Sequence, residues 1–388
     1  MGSHERKRRD GLIMPTAIAT IFLGIALLGV AITLASALLA RRGAPLPILA
    51  TWPSVTILKP LHGADPALAD NLESVFAQAY AGPVQIVFGA REATDSGMAI
   101  ARQLAGAHPG ADVACIVDAS RWGANNKLSN LINMMPAAHG EVIIVADSDT
   151  RWAPDTVGQL VAALAVPGTG LASCLIAGQA GAGFWSRLAA MDLSYRYMPA
   201  VLLGIALGLA RPVLGPTVAL RHDTLAAIGG FGAFVDMLAD DYEIGRAVRR
   251  TGLRTIVAPL FVTHICDDRS FAALWGHELR WSITVFRIDP LGYVGSLLLH
   301  GLSLSLIGAL IAGFTPPAIG IVVAAIGARA LVKARMDRMA GNRAGSLALL
   351  PLRDLLSFAL FCATFFVDNV NWRGTKFRVT RDGKLHSQ

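Results

Sequence analysis

Long apolar runs at both ends of the chain constrain its fold more than any other feature of the sequence. Residues 12–40 carry no charged side chain and are bounded by the charged stretch Glu5–Asp10 and by Arg41 and Arg42. About 20 consecutive apolar residues span a bilayer as an α-helix, so this run predicts an N-terminal transmembrane helix. It is longer than the apolar core of a typical signal peptide, and we interpret it as a retained anchor.

The second apolar region lies near the other end of the chain. It consists of three runs, Leu291–Phe314, Ala318–Val332 and Ser346–Phe366. Residues 291–367 therefore predict a C-terminal membrane region of about three helices, followed by a polar tail over 368–388. A mean hydropathy of +0.51 is too high for an ordinary soluble protein of this length, which agrees with membrane segments at both ends.

The net charge of +7 points to a membrane surface rather than to nucleic acid. The sequence has neither a basic stripe with interleaved aromatic residues nor a zinc-finger spacing, so no nucleic-acid partner is expected. Arg41, Arg42 and the basic loop 333–345 fall on the same side as the middle of the chain, which predicts a catalytic domain facing the cytoplasm. The basic first ten residues and the tail after Trp372 disagree with that orientation.

The middle region, residues 52–290, predicts an α/β catalytic domain. Its predicted strands are Ser54–Leu58, Val84–Phe88, Val113–Val117 and Val142–Ala146, with predicted helices at Pro66–Gln78 and Ser96–Ala107. This alternation is typical of a parallel sheet, in which ligands bind at the carboxyl ends of the strands. Residues 184–210 predict a helix that lies either at the membrane interface or within the domain.

Asp147 and Asp149 are the first candidate site residues, because they directly follow the apolar strand Val142–Ala146. Two carboxylates at this spacing can face one Mg²⁺ or Mn²⁺, which prefer oxygen ligands together with substrate phosphates. Such a metal would neutralise charge on a departing diphosphate. The alternative is that the acids only cap the following helix.

Two later segments carry further candidates. Asp240 and Asp241 precede an amphipathic helix, where one acid can cap the helix and the other can accept a proton from an alcohol. In the segment from His277 to Trp281, Arg280 can grip a phosphate and Trp281 can stack on an acceptor. The alternative for this second segment is an amphipathic helix that approaches the membrane.

The remaining candidates lie in loops. Lys59 ends the first strand, while Glu92 and Asp95 follow the second and could accept a hydrogen bond from a uracil ring. Lys127 could meet a phosphate, and His264 could be a third metal ligand. For each of these residues the alternative is a solvated loop, a helix cap or an ordinary buried side chain.

Taken in order, the motifs of this chain resemble the ceramide glucosyltransferase family (glycosyltransferase family 21), including its bacterial hopanoid-associated members. The motifs are KPLHGADPALADNLES, REATD, NNKLSNL, VADSDTRWAPDT, LADDYEIG and HELRW, followed by the apolar runs. The resemblance covers roughly residues 52–290. It implies a glycosyltransferase-A (Rossmann-like) fold, a UDP-sugar donor, a divalent metal and inversion at the anomeric carbon.

The resemblance also implies roles for individual residues. Asp147 and Asp149 fall on the metal motif, and Asp241 falls on the catalytic base. Arg280 and Trp281 complete the family's closing motif, in which His277 stands where the family has Arg or Gln.

Two further positions bear on the substrates. The family's first aspartate falls on Asp95, with Glu92 beside it. The segment Leu193–Tyr197 stands where the family carries a histidine, which bears on the acceptor.

These observations predict a glycosyltransferase in the bacterial inner membrane that acts on a lipid hydroxyl. A ceramide-like acceptor is the main expectation, and N-acetylglucosamine transfer to a hopanoid is the alternative. A processive polysaccharide synthase needs a channel for its polymer, for which four spans are few. A non-catalytic scaffold that kept the fold is disfavoured, because every matched acid is present.

Overall fold

The computed structural model describes the chain except for a few positions near its ends. The described residues are 3–367, 369–372, 375–379 and 385–387. Predictions that concern residues 1, 2, 368, 373–374, 380–384 and 388 lie outside the described residues. Within the predicted polar tail, the described positions form three short antiparallel strands.

The first part of the chain is a long helix followed by alternating strands and helices. The elements are α1 Ser3–Leu39, β1 Val55–Pro60, α2 Leu68–Phe76, β2 Val84–Ala90, α3 Ser96–Ala107, β3 Asp112–Val117, α4 Asn126–Met134, β4 Val142–Ala146 and β5 Thr150–Arg151. All four predicted strands are present, and α3 and β4 have their predicted bounds.

The second part of the α/β region contains longer strands and more helices. The elements are α5 Thr156–Leu164, β6 Thr169–Ala180, α6 Gly183–Asp192, a π-helical segment Leu193–Tyr197, α7 Met198–Ala206, β7 Thr217–Arg221, α8 His222–Ala227, α9 Asp240–Arg250, β8 Arg254–Cys266 and α10 Phe271–Ile288.

The last part is mainly helical. The elements are α11 Pro290–Gly295, α12 Gly301–Ile311, α13 Pro316–Ala340, α14 Leu350–Thr364, β9 Asn369–Trp372, β10 Thr375–Val379 and β11 Leu385–Ser387.

An eight-stranded sheet in the order β3-β2-β1-β4-β7-β6-β8-β5 forms the centre of the α/β domain. β3, β2, β1 and β4 pair in parallel, as predicted. The prediction of a parallel sheet does not extend further, because β7 runs antiparallel to both β4 and β6. The sheet is therefore mixed. A strand's side-chain pattern does not encode its direction, so the sequence could not reveal this reversal.

Both faces of the sheet are covered. Ile57 and Leu58 are neighbours in β1, point to opposite faces, and are both fully buried in different hydrophobic clusters. Residues in the middle of a sheet covered on both sides are apolar at successive positions rather than at alternate ones. This is why the strands read as continuous apolar runs in the sequence.

Within the described residues, four helical segments are long and apolar enough to cross a membrane. They are Thr16–Leu39, Pro290–Ile311, Pro316–Ala340 and Leu347–Thr364. α1 packs against α12 and α13, so the two ends of the chain form one bundle. Pro316 and Pro317 occupy the first turn of α13, where proline is tolerated because its missing N–H has no partner there anyway.

The segment over 184–210 has a buried part and an exposed part, and its place at a membrane interface stays a prediction. Its middle part is buried, including Leu188, Tyr195 and Met198, whereas Phe184 at its start is exposed. Its end exposes apolar side chains, since Leu207 is 52% and Leu209 80% exposed. The segment therefore packs into the α/β domain and ends with an apolar surface beside α1.

Candidate active site

The turn Asp147–Asp149 lies at the carboxyl end of β4 and is fixed through its backbone. Asp147 N–H donates to Pro216 O at 3.0 Å. Ser148 O accepts from Asn71 Nδ2 at 3.2 Å, and Asp149 O accepts from Ile265 N–H at 2.9 Å. Because three separate segments hold the backbone, the two carboxylates are presented in one orientation.

Lys59 lies directly beneath this turn. Its Nζ donates to the backbone oxygen of Thr150 at 3.0 Å and contacts Thr150 Oγ1 at 3.3 Å, and the side chain is fully buried. Burial lowers the pKa of Lys59 to about 8, against the opposing effect of Asp149 and Asp147. The observed bonds make Lys59 a support of the turn, and its direct contact with a nucleotide stays a prediction.

Lys127 joins two of the candidate acids. Its Nζ lies 2.7 Å from Asp147 Oδ1 and 3.7 Å from Asp240 Oδ2. The residue sits in the first turn of α4, which is capped by Asn125. Asn125 Nδ2 also donates to Met237 O at 3.0 Å, which ties α4 to the loop before α9. Lys127 is therefore held inside the site rather than solvated.

Asp241 is the candidate base. The N-cap of α9 is Ala239, so the expectation that one of the two acids caps this helix is wrong. Burial raises the pKa of Asp241 to about 7, and the neighbouring charge of Asp240 adds to the shift. A Cβ at Gly215 would lie 2.7 Å from Asp241 Oδ2, so any larger residue at that position would displace the carboxylate from its present place.

Asp149 faces His264 of β8, with Oδ1 3.3 Å from Nδ1. Neither atom has a hydrogen-bond partner among the described residues, although both are buried. Burial would raise the pKa of Asp149, but His264, Lys59 and His277 together lower it to about 2. Asp149 in turn raises the pKa of His264, against the effect of burial.

These two atoms, which form an ion pair without hydrogen-bond geometry, test whether a metal fits here. A carboxylate oxygen and an imidazole nitrogen that converge without a hydrogen bond are suitable ligands for Mn²⁺. Within the described part of the chain, no group of three or more His, Cys, Asp or Glu residues is arranged to hold a metal by itself. Asp149 and His264 thus fit a metal whose remaining ligands come from phosphate oxygens and water.

The HELRW segment lies on α10, and its Trp281 side chain lies close to His264. The Trp281 ring centroid is 4.8 Å from that of His277 and 6.3 Å from that of His264. His277 Nδ1 contacts the buried Asp268 at 3.4 Å. Arg280 lies half-buried on the same helix. Asp268 was not singled out in the sequence, because an acid in a loop is common.

Asp95 and Glu92 lie at the carboxyl end of β2. Asp95 Oδ1 accepts from the N–H groups of Gly97 and Met98 and so caps α3, while Oδ2 accepts from Gly63 N–H at 2.9 Å. Glu92 is exposed. No described hydrogen bond or ion pair connects either residue to Asp147 or Lys127, so nucleoside binding by both stays a prediction.

The arginine of the last membrane helix is part of the support of this site. Arg353 on α14 is fully buried, and its Nη1 and Nη2 donate to the two carboxylate oxygens of Glu278 at 2.9 and 2.6 Å. Its Nη2 also lies 3.2 Å from Asp192 Oδ1 on α6. Glu278 is the second residue of HELRW. The ion pair therefore joins α14, a candidate membrane helix, to α10, which carries the motif. The sequence alone indicates no role for Arg353, because it appears there as a polar residue near the edge of an apolar run.

The site as a whole has an excess of negative charge. Asp147, Asp149, Asp240 and Asp241 form what we call the aspartate cluster, and Lys127 and Lys59 are the cations in contact with it or beneath it. Such a site favours a divalent cation and a substrate that the cation carries. The acid with a pKa near 7 is suited to remove a proton.

Comparisons with known proteins agree with this arrangement. The family description "Glycosyl transferase family 21" matches residues 20–385. Ceramide glucosyltransferase 1 of Caenorhabditis elegans is 23% identical over 213 residues, which cover 54% of this chain and 44% of that protein. An N-acetylglucosaminyltransferase of Mesorhizobium japonicum is 24% identical over 265 residues, which cover 66% of this chain and 60% of that protein. The chain spans about half the length of these curated relatives.

A solved structure has the same fold. It is a mannosyltransferase of Pyrobaculum calidifontis in complex with GDP-Man and Mn²⁺, with a TM-score of 0.57 and 20% sequence identity. The match covers 91% of this chain and 98% of that one. The likeness identifies the fold as glycosyltransferase-A with flanking apolar helices, as the sequence predicted.

Proposed function

Because the chain belongs to glycosyl transferase family 21, we propose that it is a membrane enzyme that transfers a sugar from a UDP-sugar to a lipid hydroxyl, with inversion at the anomeric carbon. The observation that carries the proposal is the aspartate cluster. Acids from two distant segments, 147–149 and 240–241, meet at one edge of the sheet and share Lys127. This combines a place for a diphosphate with a base beside it.

The reaction requires one proton transfer and one displacement. Asp241 in its carboxylate form takes the proton of the acceptor hydroxyl. The acceptor oxygen then forms a bond to the anomeric carbon from the face opposite the diphosphate. The bond between that carbon and the diphosphate oxygen breaks, and UDP leaves with the electron pair. The product carries the inverted configuration.

Asp149 and His264 would hold the divalent metal, with Asp147 beside them. When bound, the metal supplies positive charge that stabilises the leaving diphosphate. Lys127 is bonded to Asp147 at 2.7 Å and can exchange this carboxylate for a phosphate oxygen when the donor binds. Arg280 steadies the departing UDP from α10, and Trp281 excludes water from the reacting centre. Glu92 and Asp95 would accept hydrogen bonds from the nucleoside of the donor.

We propose a ceramide-like sphingolipid as acceptor, which the relation to ceramide glucosyltransferases supports. A second candidate is transfer of N-acetylglucosamine to a hopanoid. It is favoured by relatives from Mesorhizobium japonicum and Bradyrhizobium diazoefficiens that carry the name N-acetylglucosaminyltransferase. The exposed apolar end of α7 gives a lipid of either type an approach from the bilayer.

The proposed location is the bacterial inner membrane with the catalytic domain on the cytoplasmic side. Arg42 donates to Met339 O, and Arg335 donates to Ala40 O at 2.9 Å. The C-terminal ends of α1 and α13 therefore lie side by side, and the basic residues of both are on the same side. Basic residues beside membrane spans favour the cytoplasmic side.

The test uses the purified full-length protein, several UDP-sugars and a bacterial lipid extract, with products read by mass spectrometry. Asp241→Asn is expected to lower kcat by roughly 10²–10⁴-fold while UDP binding with Mn²⁺ persists. Retention of most of the turnover would remove Asp241 from the base role. A polymeric product would favour the processive synthase, and absence of metal-dependent UDP binding in the wild type would favour a scaffold.

A further inference from the structure

An open cavity of about 910 Å³ lies between the end of α13 and the loop that leads to α14. Its polar lining comes from Lys333, Asp337, Arg338, Asn342, Arg343 and Ser346. The other walls are mostly small alanine and glycine residues. The volume falls within the roughly 300–1,000 Å³ that is usual for ligand pockets.

The charge of this cavity is positive because only one of its cations is neutralised. Lys333 pairs with Asp337, whose other oxygen accepts from Tyr195 Oη at 2.6 Å. Arg338 and Arg343 are exposed, and within residues 3–367 neither guanidinium has a hydrogen-bond or ion-pair partner. Two guanidinium groups without a partner among these residues therefore line one opening.

The cavity lies where two candidate membrane spans meet in sequence. It is located at the turn between the candidate spans Pro316–Ala340 and Leu347–Thr364. Leu347, on its rim, is 50% exposed. Asn342 Nδ2 donates to Gly178 O at the end of β6, so the turn rests on the catalytic domain. The opening thus combines positive charge, an apolar rim and a position at the end of two candidate membrane spans.

We propose that this cavity binds the phosphate of an anionic membrane phospholipid. The planar guanidinium matches phosphate geometry with paired hydrogen bonds. Basic pockets between membrane helices are typical binding places for anionic lipid head groups. The apolar rim and the adjoining spans favour a lipid over a soluble anion, because acyl chains can lie against α13 and α14. The site is separate from the aspartate cluster, so the proposal does not depend on the proposed reaction.

The site also has a connection to the catalytic domain. Lys333 Nζ lies 5.0 Å from the centre of the Tyr195 ring, and Gly345 N–H donates to Tyr195 Oη at 3.3 Å. Tyr195 belongs to the π-helical segment 193–197. A lipid bound in the cavity therefore stabilises the turn that packs on this segment.

The experiment measures lipid bound to the purified full-length protein by native mass spectrometry after incubation with phosphatidylglycerol. Arg338→Gln combined with Arg343→Gln removes both charges but keeps polar side chains of similar reach. We expect this double variant to bind on the order of tenfold less phosphatidylglycerol than the wild type. Arg250→Gln is the control, since Arg250 is exposed at the end of α9 and should leave binding unchanged.

Equal binding by the wild type and the double variant would overturn the proposal. The thermal unfolding midpoint without lipid is measured in parallel, so that a folding defect can be recognised. If the double variant unfolds early, the single variants Arg338→Gln and Arg343→Gln replace it, each with a smaller expected loss.

A second arm distinguishes the lipid from a soluble anion. Phosphatidylcholine and inorganic phosphate are added as competitors to the wild-type complex. Little displacement by either is expected, because the first lacks net negative charge and the second lacks acyl chains. Full displacement by millimolar inorganic phosphate would overturn the lipid assignment.

Discussion

Asp241 illustrates how a single residue acquires its chemistry from its surroundings. Its carboxylate is packed against Gly215 and lies beside Asp240, and burial and this neighbouring charge raise its pKa to about 7. At neutral pH about half of a base with this pKa is ionised and able to accept a proton. Its proton affinity is also higher than that of an ordinary carboxylate, which favours proton removal from the acceptor.

We predict that the rate depends on pH through Asp241. The base must be ionised, so kcat/KM should be low below pH ~6, rise through pH ~7 and level off above pH ~8. Asp240→Asn removes a neighbouring negative charge, which lowers the pKa of Asp241 and moves the rising limb to lower pH. The measurement is the pH–rate profile of both proteins. A limb that stays in place, or moves to higher pH, would contradict the assignment.

At the same scale, the pair Asp149 and His264 is predicted to bind metal. Asp149→Asn or His264→Ala should weaken Mn²⁺ binding in the presence of UDP by at least about tenfold, because each removes a ligand. Calorimetric titration with Mn²⁺ gives this affinity without requiring turnover. His139→Ala is the control, since His139 is exposed and pairs with Asp112 at 3.0 Å. An unchanged Mn²⁺ affinity in His264→Ala would leave His264 as an ordinary buried histidine.

At the scale of elements, the contact between α10 and α14 connects the membrane region with the site. Arg353 lies within a candidate span and is surrounded by Glu278, Asp192 and Ser357. An ionisable residue in an apolar helix faces protein rather than lipid and has a partner there. The partner here is inside HELRW, so the position of Trp281 and Arg280 depends on a helix far along the chain.

We predict that Arg353→Met destabilises the protein by about 3–5 kcal/mol, because it leaves the carboxylate of Glu278 buried without its partner. Adding Glu278→Gln to Arg353→Met removes that isolated charge and should restore part of the lost stability. Thermal unfolding of the purified single and double variants measures this difference. If the double variant is no more stable than Arg353→Met, the ion pair is not the cause of the loss.

At the scale of the whole molecule, the two ends of the chain are joined in one helix bundle. α1 passes close to the chain at the start of α12. A Cβ at Gly29 would lie 2.7 Å from Leu298 O and 2.9 Å from Gly301 Cα. Small residues at such a crossing let two membrane helices pack closely.

Gly29→Ala is therefore predicted to separate the N-terminal span from the C-terminal helices, at a cost of about 1–3 kcal/mol. Gly24→Ala on the same helix is the matched control, because a Cβ there meets nothing within 4 Å. The thermal unfolding midpoints of the two variants in the same detergent give the comparison. Equal midpoints would mean that the crossing adapts without loss.

The sequence by itself determined the features that depend on neighbouring residues. Apolar runs predicted the membrane segments, and the periodicity of the middle region predicted β1 to β4 and α3. The position of Asp147 and Asp149 after a buried strand predicted their place at the edge of the sheet, and the order of the motifs predicted the family. Each of these signals lies within a short stretch of chain, where side-chain period and length are sufficient.

The tertiary structure alone decided which distant residues meet. β7 pairs antiparallel with β4, although the two strands are far apart in sequence. The ion pairs of Lys127 with Asp147 and Asp240, and of Arg353 with Glu278, also join distant segments. No local pattern encodes such contacts, because a lysine in a loop or an arginine in an apolar run looks the same whether it is solvated or paired. Their roles follow only when folding brings their partners within a few ångströms, where burial strengthens each charge interaction.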